Sequence, residues 1–260
     1  MILAIDCGNT NTVFAVFAQS GEKLGDWRSS TDRNRTADEF GLWLMQLMRL
    51  AGIEPEGIRG AIVATVVPAL LFNIKTMCRK YFNCDPLIVG EAGVEIGLMV
   101  KVDHPDEVGA DRLVNAVAAR ESYKGAMIVI DFGTATTFDV IDDNGDYRGG
   151  VIAPGVNLSA EALHMAAAKL PRVAIGRPDR VIGTSTVAAM KSGIYWGYVA
   201  MVEGLVARIM KEYGKPMDVI ATGGLAPLFT DATDCIKRAD LDLTLRGLLS
   251  LYRRNAPKNP

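Results

Sequence analysis

The segment ILAIDCGNTNTVFAVF, residues 2–17, has a short apolar run that ends at an Asp-Cys-Gly turn, and a second apolar run follows the turn. The segment MIVIDFGTATTFDVI, residues 127–141, repeats this pattern. Each pattern predicts two strands joined in a hairpin. The two segments align without a gap, and four identical pairs then coincide: Ile5 with Ile130, Asp6 with Asp131, Gly8 with Gly133, and Thr12 with Thr137. The chain is therefore predicted to contain two related halves.

Further strands and helices fit a duplicated α/β architecture. Residues 62–65 resemble residues 219–222, since each is an apolar run that enters a polar or glycine-rich turn. Apolar residues at helical spacing predict helices at residues 36–51, 111–123, 187–213 and 245–255. Alternating strands and helices are typical of α/β domains. We predict an N-terminal half at residues 1–115 and a C-terminal half at residues 116–260.

Composition and charge narrow the class of protein. The 260 residues are 49% apolar and 22% charged, as in ordinary globular proteins. The net charge is −2, and the scattered Lys and Arg residues leave no basic field for a nucleic-acid partner. The start lacks the pattern of a signal peptide, and the longest apolar run, residues 61–72, is too short to span a membrane. We expect a cytoplasmic protein that binds a small molecule.

The cysteines and histidines give no sign of a metal or disulfide framework. The four cysteines lack C-x-x-C spacing and are expected to be reduced, mostly buried thiols: Cys7, Cys78, Cys84 and Cys235. His104 and His164 have no partners at ligand spacing, which argues against zinc chemistry.

The Asp-x-Gly turns have a definite chemical use. Gly8 allows the backbone to approach a bulky anion, and the amides that follow it offer hydrogen-bond donors, as do the side chains of Asn9, Thr10 and Thr12. Asp6 can hold a hydrated divalent cation. The chain has no G-x-x-x-x-G-K-[ST] segment, so an ATP site would use another architecture. One such turn alone is most often a plain hairpin, but two at matched positions favour a pair of phosphate-binding turns.

Asp111 and Arg112 stand side by side where a loop enters a predicted helix. Asp111 could accept the proton of a substrate hydroxyl during phosphoryl transfer, and Arg112 could bind a substrate carboxylate or carbonyl. The alternative is structural, with Asp111 as the helix N-cap and Arg112 as a solvated charge. Gly223 and Gly224 leave a similar choice between close contact with a nucleobase or ribose and an ordinary turn.

Taken together, the motifs resemble those of the type III pantothenate kinases, which belong to the superfamily of actin, sugar kinases and heat-shock ATPases. The likeness covers nearly the whole chain, in segments 6–10, 109–112, 131–137, 149–155, 169–171, 183–186, 221–225 and 243–248. The resemblance implies duplicated actin-like (ribonuclease H-like) domains with a nucleotide cleft between them. It also implies ATP-dependent phosphorylation of pantothenate to 4′-phosphopantothenate, the first step of coenzyme A synthesis.

The same resemblance implies roles for individual residues. Asp111 would be the catalytic base, Asp131 would ligate a monovalent cation (K⁺ or NH₄⁺), and Asp6 would hold Mg²⁺ through water. ATP contacts are implied for Asp6, Cys7, Gly8, Asn9, Thr10, Asn11, Thr12, Val13 and Thr134. Pantothenate contacts are implied for Val102, Gly109, Ala110, Asp111, Arg112 and Thr186, although many family members carry a tyrosine where this chain has Val102.

The resemblance also implies a homodimer in which the second subunit completes the substrate pocket. The long predicted helix could supply the interface around Tyr195, Trp196, Tyr198 and Met201, and ordinary core packing is the alternative for these residues.

Two other functions are compatible with the sequence. One is a catalytically weak or silent regulatory protein of the same fold, and the other is a kinase of the same fold that acts on another small hydroxyl or carboxylate acceptor. Asp6, Asp111, Arg112 and Asp131 are all present, which favours catalysis. The Gly-Ala-Asp-Arg motif at residues 109–112 favours pantothenate as the acceptor.

Overall fold

The computed structural model describes residues 1–167 and 169–256. The chain divides into two compact units. Unit 1 comprises Met1–Met99, Asp103–Tyr123 and the described chain from Asp242 onward. Unit 2 comprises Val100–Val102 and Lys124–Leu241. No helix in the described ranges is long and apolar enough to cross a membrane.

Unit 1 is a five-stranded sheet covered by helices. Its strands are β1 (Ile2–Cys7), β2 (Asn11–Phe17), β3 (Lys23–Ser30), β4 (Gly60–Thr65) and β5 (Leu87–Ile88), in the order β3-β2-β1-β4-β5. Its helices are α1 (Ala37–Leu50), α2 (Pro68–Phe82), α3 (Ala110–Ser122) and α7 (Leu243–Asn255), with short 3₁₀ helices at Pro55–Gly57 and Pro105–Glu107. Strand β1 runs antiparallel to β2 and parallel to β4.

Strand β1 sits at the centre of this sheet because its residues are apolar on both faces. Leu3 and Ile5 pack in a core with residues of α1 and α2, while Ile2 and Ala4 pack on the opposite face with residues of α3 and α7. The period of two between these sets is that of a β-strand. Such burial on both faces is typical of the central strands of α/β sheets.

Unit 2 repeats the arrangement. Its strands are β6 (Met127–Phe132), β7 (Ala135–Ile141), β8 (Tyr147–Pro154), β9 (Asp218–Thr222) and β10 (Arg238–Ala239), in the order β10-β9-β6-β7-β8. Its helices are α4 (Val156–Ala166), α5 (Thr186–Tyr213) and α6 (Ala226–Thr230). Each strand of unit 1 has a counterpart at the same place in this sheet, which confirms the predicted duplication and the α/β class.

The predicted helices are present, and local signals explain their ends. Helix α1 begins with a capping box in which the Thr36 hydroxyl accepts from the Glu39 amide and the Glu39 carboxylate accepts from the Thr36 amide. Helix α5 is capped at its start by Ser185, whose hydroxyl accepts from the Ala188 amide, and at its end by Gly214 with φ of 90°. Helices α2, α4 and α6 were not predicted.

The observed division differs from the predicted boundary between residues 115 and 116. Helix α3 continues through that point to Ser122, and helix α7 packs against it. The Thr244 hydroxyl donates to Asn115 Oδ1 at 2.7 Å, and Gly247 lies so close to the Val114 backbone that a side chain would not fit. The C-terminal helix therefore belongs to unit 1. Residues 257–260 of the predicted second half lie outside the described residues.

The ungapped alignment of the two hairpins is wrong after the turn. Thr12 pairs with Cys7 across the first hairpin, whereas Thr136 pairs with Phe132 across the second. The counterpart of Thr12 is thus Thr136, and both are buried. The second turn is one residue shorter than the first. Residues 62–65 and 219–222 likewise correspond with a shift of one, since Ile62 pairs with Ala4 on β1 and Ile220 with Val129 on β6.

Candidate functional site

The first Asp-x-Gly turn connects β1 to β2 at the carboxyl end of β1. Asp6 is half-buried near the end of the strand, and Asn9 and Thr10 are exposed at the tip. The Gly8 amide donates to the Asn11 carbonyl at 3.0 Å, which closes the turn. A methyl group at Gly8 would lie 3.2 Å from the same carbonyl oxygen, so the turn leaves little room for a side chain. The exposed tip offers backbone and side-chain donors to an anion.

The base of this turn is a buried polar cluster. The Thr12 hydroxyl lies 3.5 Å from Cys7 Sγ and 2.9 Å from the Thr31 hydroxyl. Burial raises the pKa of the Cys7 thiol, while hydrogen bonds from Thr12 and Thr65 oppose that rise. Cys7 therefore stays a neutral thiol at physiological pH, and it adds no negative charge beneath a site for phosphates. Val13 is half-buried in the strand that follows.

The predicted Gly-Ala-Asp-Arg motif forms the start of α3. Gly109 is the N-cap, Ala110 is the first helical residue, and Asp111 and Arg112 follow in the first turn. The Asp111 carboxylate accepts a hydrogen bond from the Arg112 amide at 2.8 Å. A methyl group at Gly109 would lie 2.6 Å from Asp111 Oδ1, so glycine makes room for the carboxylate. The structural alternative for Asp111 is wrong, because the N-cap is Gly109.

The Asp111 carboxyl has an altered affinity for protons. Burial raises its pKa from the ordinary value, and the Arg112 amide and the charge of Arg112 oppose the rise without cancelling it. The ionised form of Asp111 is therefore a better proton acceptor than an ordinary surface carboxylate. This property suits a general base.

Val66 links the α3 start to the first turn. Its amide donates to the Cys7 carbonyl at 3.1 Å, and its side chain lies 3.7 Å from the position of a methyl group at Gly109. The structure thus brings the end of β1 and the residues around Asp111 to one edge of the unit 1 sheet. Val66 could not be predicted from the sequence, because its position after an apolar strand carries no signal of its own.

The second Asp-x-Gly turn connects β6 to β7. Asp131 is half-buried near the end of β6, Thr134 is exposed at the tip, and the Gly133 amide donates to the Ala135 carbonyl at 3.0 Å. A methyl group at Gly223, where φ is 88°, would overlap Asp131 Oδ1 and lie 2.7 Å from the Phe132 carbonyl oxygen. Gly223 therefore packs against the acidic turn, which neither sequence alternative for this glycine anticipated.

A second glycine packs against the other side of this turn. A methyl group at Gly155 would overlap the Thr134 carbonyl oxygen and lie 2.7 Å from the Gly133 carbonyl oxygen. One carboxylate and several carbonyl oxygens thus stand on a short turn beside two glycines. Oxygen donors of this kind, without nitrogen or sulfur ligands, fit a hard or weakly hydrated cation such as Mg²⁺ or K⁺.

The remaining predicted substrate residues lie elsewhere in unit 2. Val102 follows a segment that pairs with β8, in which the Lys101 amide donates to the Tyr147 carbonyl at 2.8 Å. The Lys101 ammonium bridges Asp142 at 3.1 Å and Asp146 at 2.8 Å. Val102 Cγ1 lies 3.5 Å from the position of a methyl group at Gly149.

Thr186 is the first residue of α5 and is exposed. The hydroxyl of the neighbouring Ser185, and not that of Thr186, accepts from the helix amide, so the Thr186 side chain is not the N-cap. Four residues of α5 were assigned either to a subunit interface or to core packing. Tyr195 and Tyr198 are buried in the unit 2 core, and Trp196 and Met201 pack against it.

Comparisons with known proteins identify the family of the chain. A family model described as type III pantothenate kinase matches residues 2–208. A protein of Paramagnetospirillum magneticum named type III pantothenate kinase is 64% identical over 257 residues, which are 98% of this chain and 98% of that protein. A protein of Rhodospirillum rubrum with the same name is 63% identical over 257 residues, covering 99% of this chain and 100% of that protein.

A solved structure shares the fold at low identity. The activator of the 2-hydroxyisocaproyl-CoA dehydratase from Clostridium difficile, with bound ADPNP, superposes with a TM-score of 0.55. It is 12% identical, and the match covers 100% of this chain and 98% of that chain. At this identity the likeness concerns the fold alone.

Proposed function

Since the chain belongs to the type III pantothenate kinase family, we propose that it transfers the γ-phosphoryl group of ATP to the hydroxyl of pantothenate. The products would be ADP and 4′-phosphopantothenate, and the reaction would be the first step of coenzyme A synthesis. The observation that carries the proposal is the half-buried Asp111 carboxylate in the first turn of α3, at the same sheet edge as the first Asp-x-Gly turn.

Asp111 is the proposed general base. Its carboxylate accepts the proton of the pantothenate hydroxyl while that oxygen forms a bond to the γ-phosphorus, and the bond from the γ-phosphorus to the bridging oxygen breaks with its electron pair on ADP. Because the phosphoryl-transfer transition state is loose, the main role of Asp111 is to orient the pantothenate hydroxyl. The hydrogen bond from the Arg112 amide holds the carboxylate in place for this role.

The first turn is the proposed binding site for the ATP phosphates. The contacts would come from residues of the turn and of the strand ends, namely Asp6, Cys7, Gly8, Asn9, Thr10, Asn11, Thr12 and Val13, with Thr134 from the second turn. Asp6 would hold Mg²⁺ through water, since its carboxylate is only half-buried and retains access to solvent. Magnesium, when bound, neutralises charge that develops on the phosphate oxygens.

Asp131 is the proposed ligand of K⁺ or NH₄⁺. The support is the oxygen-rich turn between Gly223 and Gly155, where neither glycine adds a side chain that would shield the oxygens. A weakly hydrated cation accepts irregular coordination by carbonyl and carboxylate oxygens. Such a cation, when bound, offsets negative charge at the second turn.

Pantothenate is the proposed acceptor, with contacts from Gly109, Ala110, Asp111, Arg112, Val102 and Thr186. The Arg112 guanidinium suits the pantothenate carboxylate because it can form paired hydrogen bonds with it. Val102 is smaller than the tyrosine of many relatives and offers an apolar contact without a hydroxyl. The proposal also places the enzyme in the cytoplasm, where ATP is supplied.

A homodimer is part of the same proposal. The exposed face of α5 carries small residues, Ala189, Gly193, Gly197 and Ala200, which allow close approach of a second helix. A groove of about 490 Å³ beside this face is lined by residues that include Pro154, Leu163 and Met201. Sedimentation velocity tests the proposal: the wild-type protein should be a dimer, and Gly197→Glu should shift it toward monomer. A wild-type monomer would contradict it.

The function is tested by release of ADP, coupled to a detection enzyme, with pantothenate, a panel of sugars and acetate as separate acceptors. Among these acceptors, only pantothenate should give turnover with ATP. Turnover should also require Mg²⁺ together with K⁺ or NH₄⁺. Turnover with a sugar or acetate would identify a kinase of the same fold for another acceptor. The absence of turnover with every acceptor would favour a regulatory protein. Equal rates in Na⁺ and K⁺ would remove the role proposed for Asp131.

A further inference from the structure

Thr31, which follows β3, contacts the first turn at three points. Its amide donates to the Thr10 carbonyl at 2.9 Å, and its hydroxyl donates to the Gly8 carbonyl at 2.7 Å. The hydroxyl also lies 2.9 Å from the Thr12 hydroxyl. Because the single hydroxyl proton of Thr31 is used by the Gly8 carbonyl, the Thr31 oxygen can act toward Thr12 only as an acceptor. One residue thus fixes two carbonyls and one side chain of the turn.

These bonds also fix the direction of backbone amides. A peptide unit is planar and trans, so its N–H points opposite to its C=O. The Gly8 carbonyl shares a peptide unit with the Asn9 amide, and the Thr10 carbonyl shares one with the Asn11 amide. Since both carbonyls point toward Thr31, both amides point away from it. Asn9 and Asn11 are themselves exposed residues of the turn.

The second turn shows that an Asp-x-Gly hairpin folds without the hydrogen bonds that the Thr31 hydroxyl makes in the first. Thr12 pairs with Ser29 on β3, and its counterpart Thr136 pairs with Ala153 on β8. The counterpart of Thr31 is therefore Gly155, which has no hydroxyl. The Thr136 hydroxyl is buried and has no hydrogen-bond partner among the described residues. Hydrogen bonds from a threonine hydroxyl are therefore not needed to form such a hairpin.

We propose that Thr31 is a positioning residue for ATP: it holds the first turn so that the Asn9 and Asn11 amides face the phosphates before the nucleotide arrives. Preorganised donors bind an anion without the cost of ordering the turn on binding. The inference rests on the proposed function of the first turn as the seat of the ATP phosphates, and it adds a residue that itself has no contact with ATP in the proposal.

The test compares Thr31→Val, which removes the hydroxyl at nearly constant shape, with Thr31→Ser, which keeps it. We expect Thr31→Val to raise the KM for ATP by about five- to tenfold, the effect of one lost hydrogen bond, with KM for pantothenate unchanged. Thr31→Ser should stay within about twofold of the wild type. Thr233→Val is the matched control, since it removes a hydroxyl that donates to Glu203 in the other unit.

A second measurement does not depend on turnover. MgATP should raise the melting temperature of the wild-type protein and of Thr31→Ser by similar amounts, and that of Thr31→Val by less. If Thr31→Val does not fold, Thr31→Ala provides a second hydroxyl-free variant with less bulk. A KM for ATP that is equal in wild type and in the hydroxyl-free variants overturns the inference, and so does an equal rise in Thr31→Ser. If the wild type fails to turn over with pantothenate, the proposed function falls, and the melting shifts with MgATP then decide the inference on their own.

Discussion

The Asp111 carboxylate accepts a hydrogen bond from the backbone amide of Arg112 at 2.8 Å, within the first turn of α3. That amide is one of the four at a helix start that have no partner within the helix. The bond therefore satisfies a helix donor and orients the carboxylate at the same time. The positive end of the helix dipole also favours the ionised form. Burial opposes ionisation and prevails, because the pKa of Asp111 is raised.

Asp111→Asn should fold but lose about 10²- to 10⁴-fold in kcat, since the amide cannot accept the hydroxyl proton. An asparagine side-chain oxygen can still accept from the Arg112 amide, so the helix start should be preserved. KM for ATP should change little. Steady-state kinetics with saturating pantothenate measure the effect.

The control for that variant is Asp106→Asn, which neutralises an exposed acid in the 3₁₀ helix just before α3. It should keep full activity. Near-full activity in Asp111→Asn would mean that the base is another residue.

The pH dependence of kcat/KM should show an acidic limb set by Asp111. The rate falls as the pH drops through the pKa of this carboxyl in the folded protein, because only the ionised form accepts a proton. Since burial raises that pKa, the limb should lie at a higher pH than an ordinary aspartate would give. A limb at or below the ordinary aspartate range would contradict the assignment.

The contribution of Asp111 to folding stability should fall as the pH rises, whereas its contribution to the rate should increase. A carboxyl whose pKa is raised by folding stabilises the protein below its unfolded pKa, and this contribution is lost as the pH rises through the folded pKa. At neutral pH the ionised Asp111 is therefore a cost, and Asp111→Asn should melt at the same temperature as wild type or higher. Thermal unfolding at neutral and acidic pH measures this. A clearly lower melting temperature at neutral pH would argue that the carboxylate stabilises the fold.

Gly223→Ala should weaken binding of the monovalent cation. A methyl group there would overlap Asp131 Oδ1 and crowd the Phe132 carbonyl, which displaces proposed cation ligands. We expect the K⁺ concentration for half-maximal rate to rise about 10- to 100-fold, as for loss of a residue that supports metal ligands.

Gly125→Ala separates crowding from backbone strain. Gly125 also has positive φ, of 81°, but a methyl group there would meet no described atom within 4 Å. This variant should lose only about 1 kcal/mol of folding free energy and keep its K⁺ dependence. Identical K⁺ titrations for Gly223→Ala and wild type would contradict the proposed cation site.

Lys101→Met should destabilise the protein more than Lys75→Met. Lys101 bridges the buried acids Asp142 and Asp146, whereas Lys75 pairs with the more exposed Glu91. Removal of Lys101 leaves two carboxylates without their shared cation. Thermal unfolding of the two variants, measured side by side, tests this, and equal melting temperatures would contradict it.

The effect of Lys101 should depend on pH. Hydrogen bonds from the Asp146 and Asn144 amides and the Lys101 ammonium lower the pKa of Asp142 despite its burial. A carboxyl with a lowered pKa stabilises the fold above its unfolded pKa, and this contribution is lost as the pH falls through the folded pKa. The difference between Lys101→Met and wild type should therefore shrink in strong acid.

The fold could be predicted largely from the two hairpins, because an apolar run that ends at Asp-x-Gly carries both strand and turn signals. The position of α7 in unit 1 could not be predicted from the sequence. Its apolar spacing predicts a helix but does not say which sheet it covers, and its contacts with Asn115 and Val114 on α3 join residues distant in sequence. The shortened second turn was hidden because Thr136 and Thr137 are identical, so Thr12 matches either one.

The site was predictable where a motif carries the chemistry, as at Asp111. The residues around it were not, because their roles come from contacts and not from sequence pattern. Thr31 lies in a polar loop, Val66 follows an ordinary strand, and Gly223 resembles any turn glycine until the structure places it against Asp131. Such supporting residues appear only when distant segments are brought together.

The most direct test of the central claim is the identity of the phosphorylated product. Wild-type protein with ATP, pantothenate, Mg²⁺ and K⁺ should yield one phosphomonoester, on the 4′-hydroxyl of pantothenate, for each ADP formed, as read by phosphorus NMR and mass spectrometry. Asp111→Asn under the same conditions should yield almost none. ADP accompanied only by inorganic phosphate, or a product phosphorylated at another position, would contradict the account.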